Sequence, residues 1–192
     1  MTTGGDVEAS PAASSATTAH SEHYSSTRLR GAPMVVAKAK SDTTDCTDGR
    51  SCLLEAVDGL PPESFDIPDV IGDWSVRDCL AHLVGWDAWA VNALERSAAG
   101  MPLGPFPTER EINDAAPNDW SGRPIDELLT MLRNIRDTLS DRVSQLTDDE
   151  RDEKSMAVED VSLSVNELVD GLIEHDMEHA GQIRTWRKTQ GV

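Results

Sequence analysis

Residues 124–146 read PIDELLTMLRNIRDTLSDRVSQL, with Ile125, Leu128, Leu129, Leu132, Ile135, Leu139, Val143 and Leu146 at steps of three and four. That spacing keeps the apolar groups on one side of a 3.6-residue turn and makes this the strongest helical signal in the chain. Pro124 suits a first helical turn, where its missing N–H costs nothing. Three further segments follow the same rule. One falls within Met34–Leu60, weak through TTDCTDG and amphipathic through SCLLEAVDGL. A second starts after Ser75, with Asp78 three residues on as a capping-box partner and Trp74 placed to staple the turn. Gly100 and Pro102 end it. The last begins after Ser164, with Glu167 at the capping-box position and Val165, Leu168, Val169, Leu172, Ile173, Ala180, Ile183 and Trp186 as its apolar face.

No segment alternates convincingly with period two, so strands are not needed. Four amphipathic helices predict an all-α fold, an antiparallel four-helix bundle. Two connections are long, Ala98 to Arg123 and Thr147 to Leu163. Connections of that length are functional lids or contain short helices, and TEREINDAA in the first reads as one. Residues 1–31 are rich in Ser, Thr, Ala and Gly and cannot bury enough surface to offset their ordering entropy. A disordered tail over 1–31 and a bundle domain over 32–192 are therefore expected.

The chain has 192 residues, with 17 basic and 35 acidic side chains and a formal charge of −18. So acidic a surface repels phosphate backbones and anionic membranes, which argues against nucleic-acid and membrane partners. No apolar run approaches 18 residues, and the first 30 lack the apolar stretch of a secretory signal. Cys46, Cys52 and Cys79 are an odd count at irregular spacing, which does not describe a disulfide framework. These features together predict a reduced, cytoplasmic protein.

His20 and His23 lie in the tail, leaving His82, His175 and His179 for the folded region. Helix geometry sets His175 and His179 one turn apart, at the edge of the apolar face. His82 shares its helix wheel with Cys79, Trp86 and Trp89. Two histidines one turn apart chelate a single ion, and a third from a facing helix gives the three-ligand set of a catalytic divalent site. Hydrogen-bonded core histidines would give the same pattern, so the residues alone leave both readings open.

WSVRDCLAHLVGW (74–86) followed by EHDMEHAGQIRTWR (174–187) resembles the DinB-like (YfiT-like) four-helix bundle superfamily over roughly residues 50 to 190. INDAAPNDWSGRPIDELL (112–129) is similar to the family's approach to its third helix. One departure is Leu163 before Ser164, where many relatives carry a tryptophan. The resemblance implies a metal held by His82, His175 and His179: zinc first, with nickel, iron or manganese admitted by the same ligands. It also implies a metal-dependent enzyme on a small-molecule substrate, by thiol S-transfer with a low-molecular-weight thiol or by hydrolysis or isomerisation. The alternative it carries is a non-catalytic binding or self-protection protein. A homodimer stays open, since apolar edges of such bundles often pair.

Asp176 follows His175 directly, in HDMEH, and faces inward, where an ionised carboxylate needs a partner. It is the catalytic candidate, as general base, with orientation of a ligand or membership of a salt bridge as its other roles. Gln182 lies near the histidine pair on the wheel and is a candidate to hydrogen-bond a ligand or substrate. Glu178 points outward. Cys79 is a candidate ligand or nucleophile, against an ordinary core residue. Trp120 is a candidate substrate lid, against a packing anchor.

Overall fold

The computed structural model describes residues 48–101, 109–153, 156–158 and 161–192. The expectation of a disordered tail over 1–31 lies outside them. Helix α1 spans Gly49–Val57, capped by Asp48, whose carboxylate accepts from the Arg50 and Ser51 N–H groups. A single 3-10 turn, Pro62–Asp66, leads to α2, Val76–Ala98. Helix α3 is Glu109–Trp120 and α4 is Ile125–Ser144. A short α5, Asp148–Asp152, and a hairpin of β1 (Met156–Val158) with β2 (Val161–Leu163) precede α6, Val165–Gln190.

The capping boxes read from sequence close as expected: Ser75 with Asp78 opens α2, and Ser164 with Glu167 opens α6. Gly191 ends α6 in the left-handed conformation, φ 74°, which suits glycine. The TEREINDAA segment is helical from Glu109 onward, as the start of α3. The hairpin was not expected, because two three-residue strands are too short to set up a readable alternation. Met156 pairs with Leu163 in it and is buried against α6. Leu163 packs partly buried on the same cluster.

Helix directions follow from which residues meet. Arg184 and Arg187 of α6 donate to the carbonyls of Cys52 and Ala56, while Gly49 abuts Ile173, so α1 and α6 run the same way. Arg136 reaches Asp87 and Arg142 reaches Glu95, so α2 and α4 also run together. His82 meets His175 and both ends of α2 pack on opposite ends of α6, so these two are antiparallel. The bundle is therefore up-down-down-up. The long Ala98–Arg123 connection is the crossover that lets α4 start beside the start of α2, and α3 lies on α2 within it.

Two apolar clusters fill the bundle. One joins Leu53, Val76, Leu80, Leu83, Leu128, Leu132, Ile183 and Trp186. The other joins Ala90, Leu94, Leu139, Met156, Val165, Leu168 and Leu172. Between them, midway along α2, α4 and α6, lies a polar layer containing Arg50, His82, Asp87, Arg136, His175, Asp176 and His179.

Cys52 is disulfide-bonded, and Cys79 is free and buried. This corrects the expectation of three reduced cysteines: an odd count is a pair plus one as readily as no pair. The ground it gave for a reducing compartment goes with it. No described helix is long and apolar enough to cross a membrane.

Candidate metal centre

His82 projects from α2, and His175 and His179 from successive turns of α6. Their Nε2 atoms converge: His175 Nε2 lies 3.1 Å from that of His82 and 3.0 Å from that of His179. The three ligand atoms are all within 4.8 Å of one another. A tetrahedral zinc with bonds of about 2.0–2.1 Å spaces its nitrogens roughly 3.3 Å apart, and the His82–His175 and His175–His179 spacings fall within a few tenths of an ångström of that. The donor set fits a borderline ion.

Protonation agrees with that fit. Burial, then the neighbouring His179, pushes His82 down to about 3. Burial pushes His179 down to about 4. His175 is held well below the ordinary imidazole range by burial, by the other two rings, and by Arg136 and Arg50. All three are neutral at pH 7, with lone pairs to offer. Trp74 packs on His82 at 5.0 Å between ring centroids, and Trp86 stands edge-on to His82 and His175 at 6.1 and 6.3 Å. Trp74 thus covers an imidazole besides opening α2.

Beside the histidines is a buried quartet of charges drawn from four helices. Asp87 accepts from Arg50 Nη2 at 2.7 Å and from Arg136 Nε and Nη2 at 3.1 and 2.8 Å. Asp176 accepts from Arg50 Nε at 3.1 Å and Nη2 at 3.2 Å, and pairs with Arg136 at 3.0 Å. Arg50 also donates to the Leu132 carbonyl, tying α1 to α4. Both carboxylates are at most 1% exposed. Burial pushes Asp176 up to about 6 against the pull of both guanidiniums, which leaves it mainly ionised at pH 7.

Asp176 therefore sits beside the ligands as an ion-pair partner of two arginines. Sequence reading missed Arg50, Asp87 and Arg136, because charged residues are mostly exposed. A signal was present: Leu83-Asp87-Val91, Leu132-Arg136-Leu139 and Leu172-Asp176-Ala180 each place a charge on an apolar stripe. Charges of both signs on three stripes mark a shared layer. Gln182 is close to His179, as its wheel position suggested, and Glu178 is exposed. Cys79 is fully buried with its thiol pushed up to about 12, which suits neither nucleophile nor ligand. Trp120 is a packing anchor, buried in the first cluster with the Arg123 guanidinium 4.0 Å over its ring.

Comparison with known proteins agrees with this fold. An uncharacterised protein from Escherichia coli UTI89 has a crystal structure similar to the chain, with TM-score 0.61 and 19% identity over 75% of this chain and 89% of that one. A protein from Streptococcus pneumoniae is similar with TM-score 0.65 and 18% identity, over 73% and 84%. At such identities the likeness is one of fold. No curated protein matches. The family model for the DinB superfamily matches residues 47–183, a stretch that takes in α1, all three histidines and most of α6. The chain belongs to the DinB superfamily.

Proposed function

We propose that the chain is a divalent-metal-dependent enzyme acting on a small molecule, by thiol S-transfer or by hydrolysis or isomerisation. The observation that carries the reading is the convergence of three neutral, inward imidazoles on one point through Nε2. His82, His175 and His179 are the ligands, with zinc the first choice. When bound, such an ion supplies a Lewis acid for activating a water or a thiol. Trp74 and Trp86 wall the imidazoles and limit water around them. Asp176 acts as a charge anchor and not as a base, since both its oxygens are taken by guanidiniums. Through it, Arg50 and Arg136 hold the His175 turn of α6 against α2.

Elemental analysis of protein purified without an affinity tag tests the centre. The expected result is one divalent ion per chain in wild type and none in His179→Ala; equally low content in both refutes it. Repeated thiol-dependent conjugation or hydrolysis of a generic electrophile by the loaded protein then tests catalysis. A single stoichiometric capture without recycling would show a binding protein.

A further inference from the structure

Among the described residues, the buried atoms His82 Nδ1, His179 Nδ1, Asn113 Oδ1 and Gln182 Oε1 lack a well-formed hydrogen bond. They sort into two donor–acceptor couples. The Asn113 side chain makes a looser contact with His82, and the Gln182 side chain makes one with His179. In each couple the imidazole offers a ring nitrogen and the amide an oxygen, and neither atom has another partner. Buried polar atoms left in this state are costly and call for an explanation.

Two packing details hold the amides where they are. Gln182 Nε2 donates to Glu178 Oε1 at 3.4 Å, which turns Oε1 away from Glu178. Asn113 is carried by α3, whose Ile112 and Ala116 pack on Gly85 of α2, one turn beyond His82. A Cβ at Gly85 would lie 3.0 Å from Ile112 Cγ2 and 3.3 Å from Ala116 Cβ. The missing side chain lets α3 approach closely enough for Asn113 to reach the imidazole.

The tautomer gives these contacts a purpose. A neutral imidazole carries its proton on one nitrogen and a lone pair on the other. Three Nε2 atoms around one point present lone pairs to it only if the protons sit on Nδ1. A metal-bound histidine almost always donates its other N–H to an acceptor that fixes ring and tautomer. We propose that Asn113 and Gln182 are the positioning residues of this centre, each amide oxygen accepting the Nδ1–H of His82 and His179 respectively and so aiming the Nε2 lone pair at the shared point. The proposal rests on the metal-centre reading above. It assigns to α3, the helix inside the crossover, a direct part in the site.

The test uses the full-length chain labelled with nitrogen-15 at histidine, and zinc itself as the probe. In metal-free wild type, long-range proton–nitrogen spectra should show His82 and His179 as Nδ1–H tautomers. Asn113→Leu should convert His82 and leave His179 unchanged; Gln182→Met should do the reverse. Zinc affinity, read by competition with a chromophoric chelator, should fall ten- to a hundredfold in each variant. Asn113→Asp keeps an acceptor and should restore it. If Asn113→Leu fails to fold by circular dichroism, Asn113→Ala takes its place.

Nε2–H tautomers in wild type would overturn the proposal, because the amides would then be donating and closing the lone pairs. Unchanged zinc affinity in both variants would overturn it as well. A wild type that binds zinc no better than His179→Ala would instead refute the metal centre, while the tautomers still report whether the amides orient the rings.

Discussion

Replacing Asp87 by Asn changes almost no volume and removes one of two anions from a buried layer. Asp87 Oδ2 receives Arg50 Nη2 and Arg136 Nε, and Oδ1 receives Arg136 Nη2. An amide has one oxygen, so whichever way it turns, an NH2 group faces a guanidinium donor. Arg50 and Arg136, with side chains 6% and 13% exposed, then share only Asp176. Removing one partner of a buried charge pair costs about 3–5 kcal/mol, most of it the stranded charge and not the worth of the bond. For a domain of this size, 1 kcal/mol moves Tm by about 2–4 °C, so Asp87→Asn should melt roughly 6–20 °C below wild type. The internal control is Glu95→Gln, which breaks a pair with side chains 49% and 46% exposed and should cost less than about 1 kcal/mol. Thermal melts followed by circular dichroism, backed by urea titrations, measure both. If the two variants melt within about 2 °C of each other, the charged layer is not buried as described.

Metal-free stability should fall as pH drops from about 6.5 toward 4. His82 and His179 titrate near 3 and 4 when folded, below the ordinary 6.5, so the unfolded chain binds more protons across that window. Each such imidazole contributes up to about 1.4 kcal/mol per pH unit. Asp176, raised to about 6, works in the opposite sense between roughly 6 and 4 and offsets part of it. Urea midpoints that stay flat from pH 7 to 5 would contradict the buried neutral histidines. Gly49→Ala places a Cβ 2.4 Å from the Ile173 carbonyl oxygen and 3.0 Å from Asp176 Cβ, which pushes α1 off α6. It should lose about 1–3 kcal/mol in urea titrations. Gly181→Ala meets nothing within 4 Å in α6 and should gain about 0.5–1 kcal/mol in the same assay. Cys79 should resist maleimide in the native state and label only on unfolding, as peptide mapping would show; rapid native labelling contradicts its burial.

Helices, their caps and their apolar faces were legible because each is a short-range property. The stripe of α4 and the Ser75 and Ser164 capping boxes need only residues three or four apart, and the histidine pair of α6 needs only one turn. The hairpin was not legible, since strands of three residues take their place from the helix they cover and not from their own pattern. The direction of α4 was open too: a 26-residue connection permits either sense, and only the packing of α4 on α2 selects one.

By itself the chain determined an all-helical fold and three inward histidines, since periodicity decides which side of a helix turns to the core. Only the tertiary structure decided which sides meet. That brought Asn113 to His82 and Arg50 to Asp87 and Asp176, residues that lie far apart along the chain. A charge or an amide is stable in a core only beside a complementary group from another helix. No window of sequence contains both members of such a pair.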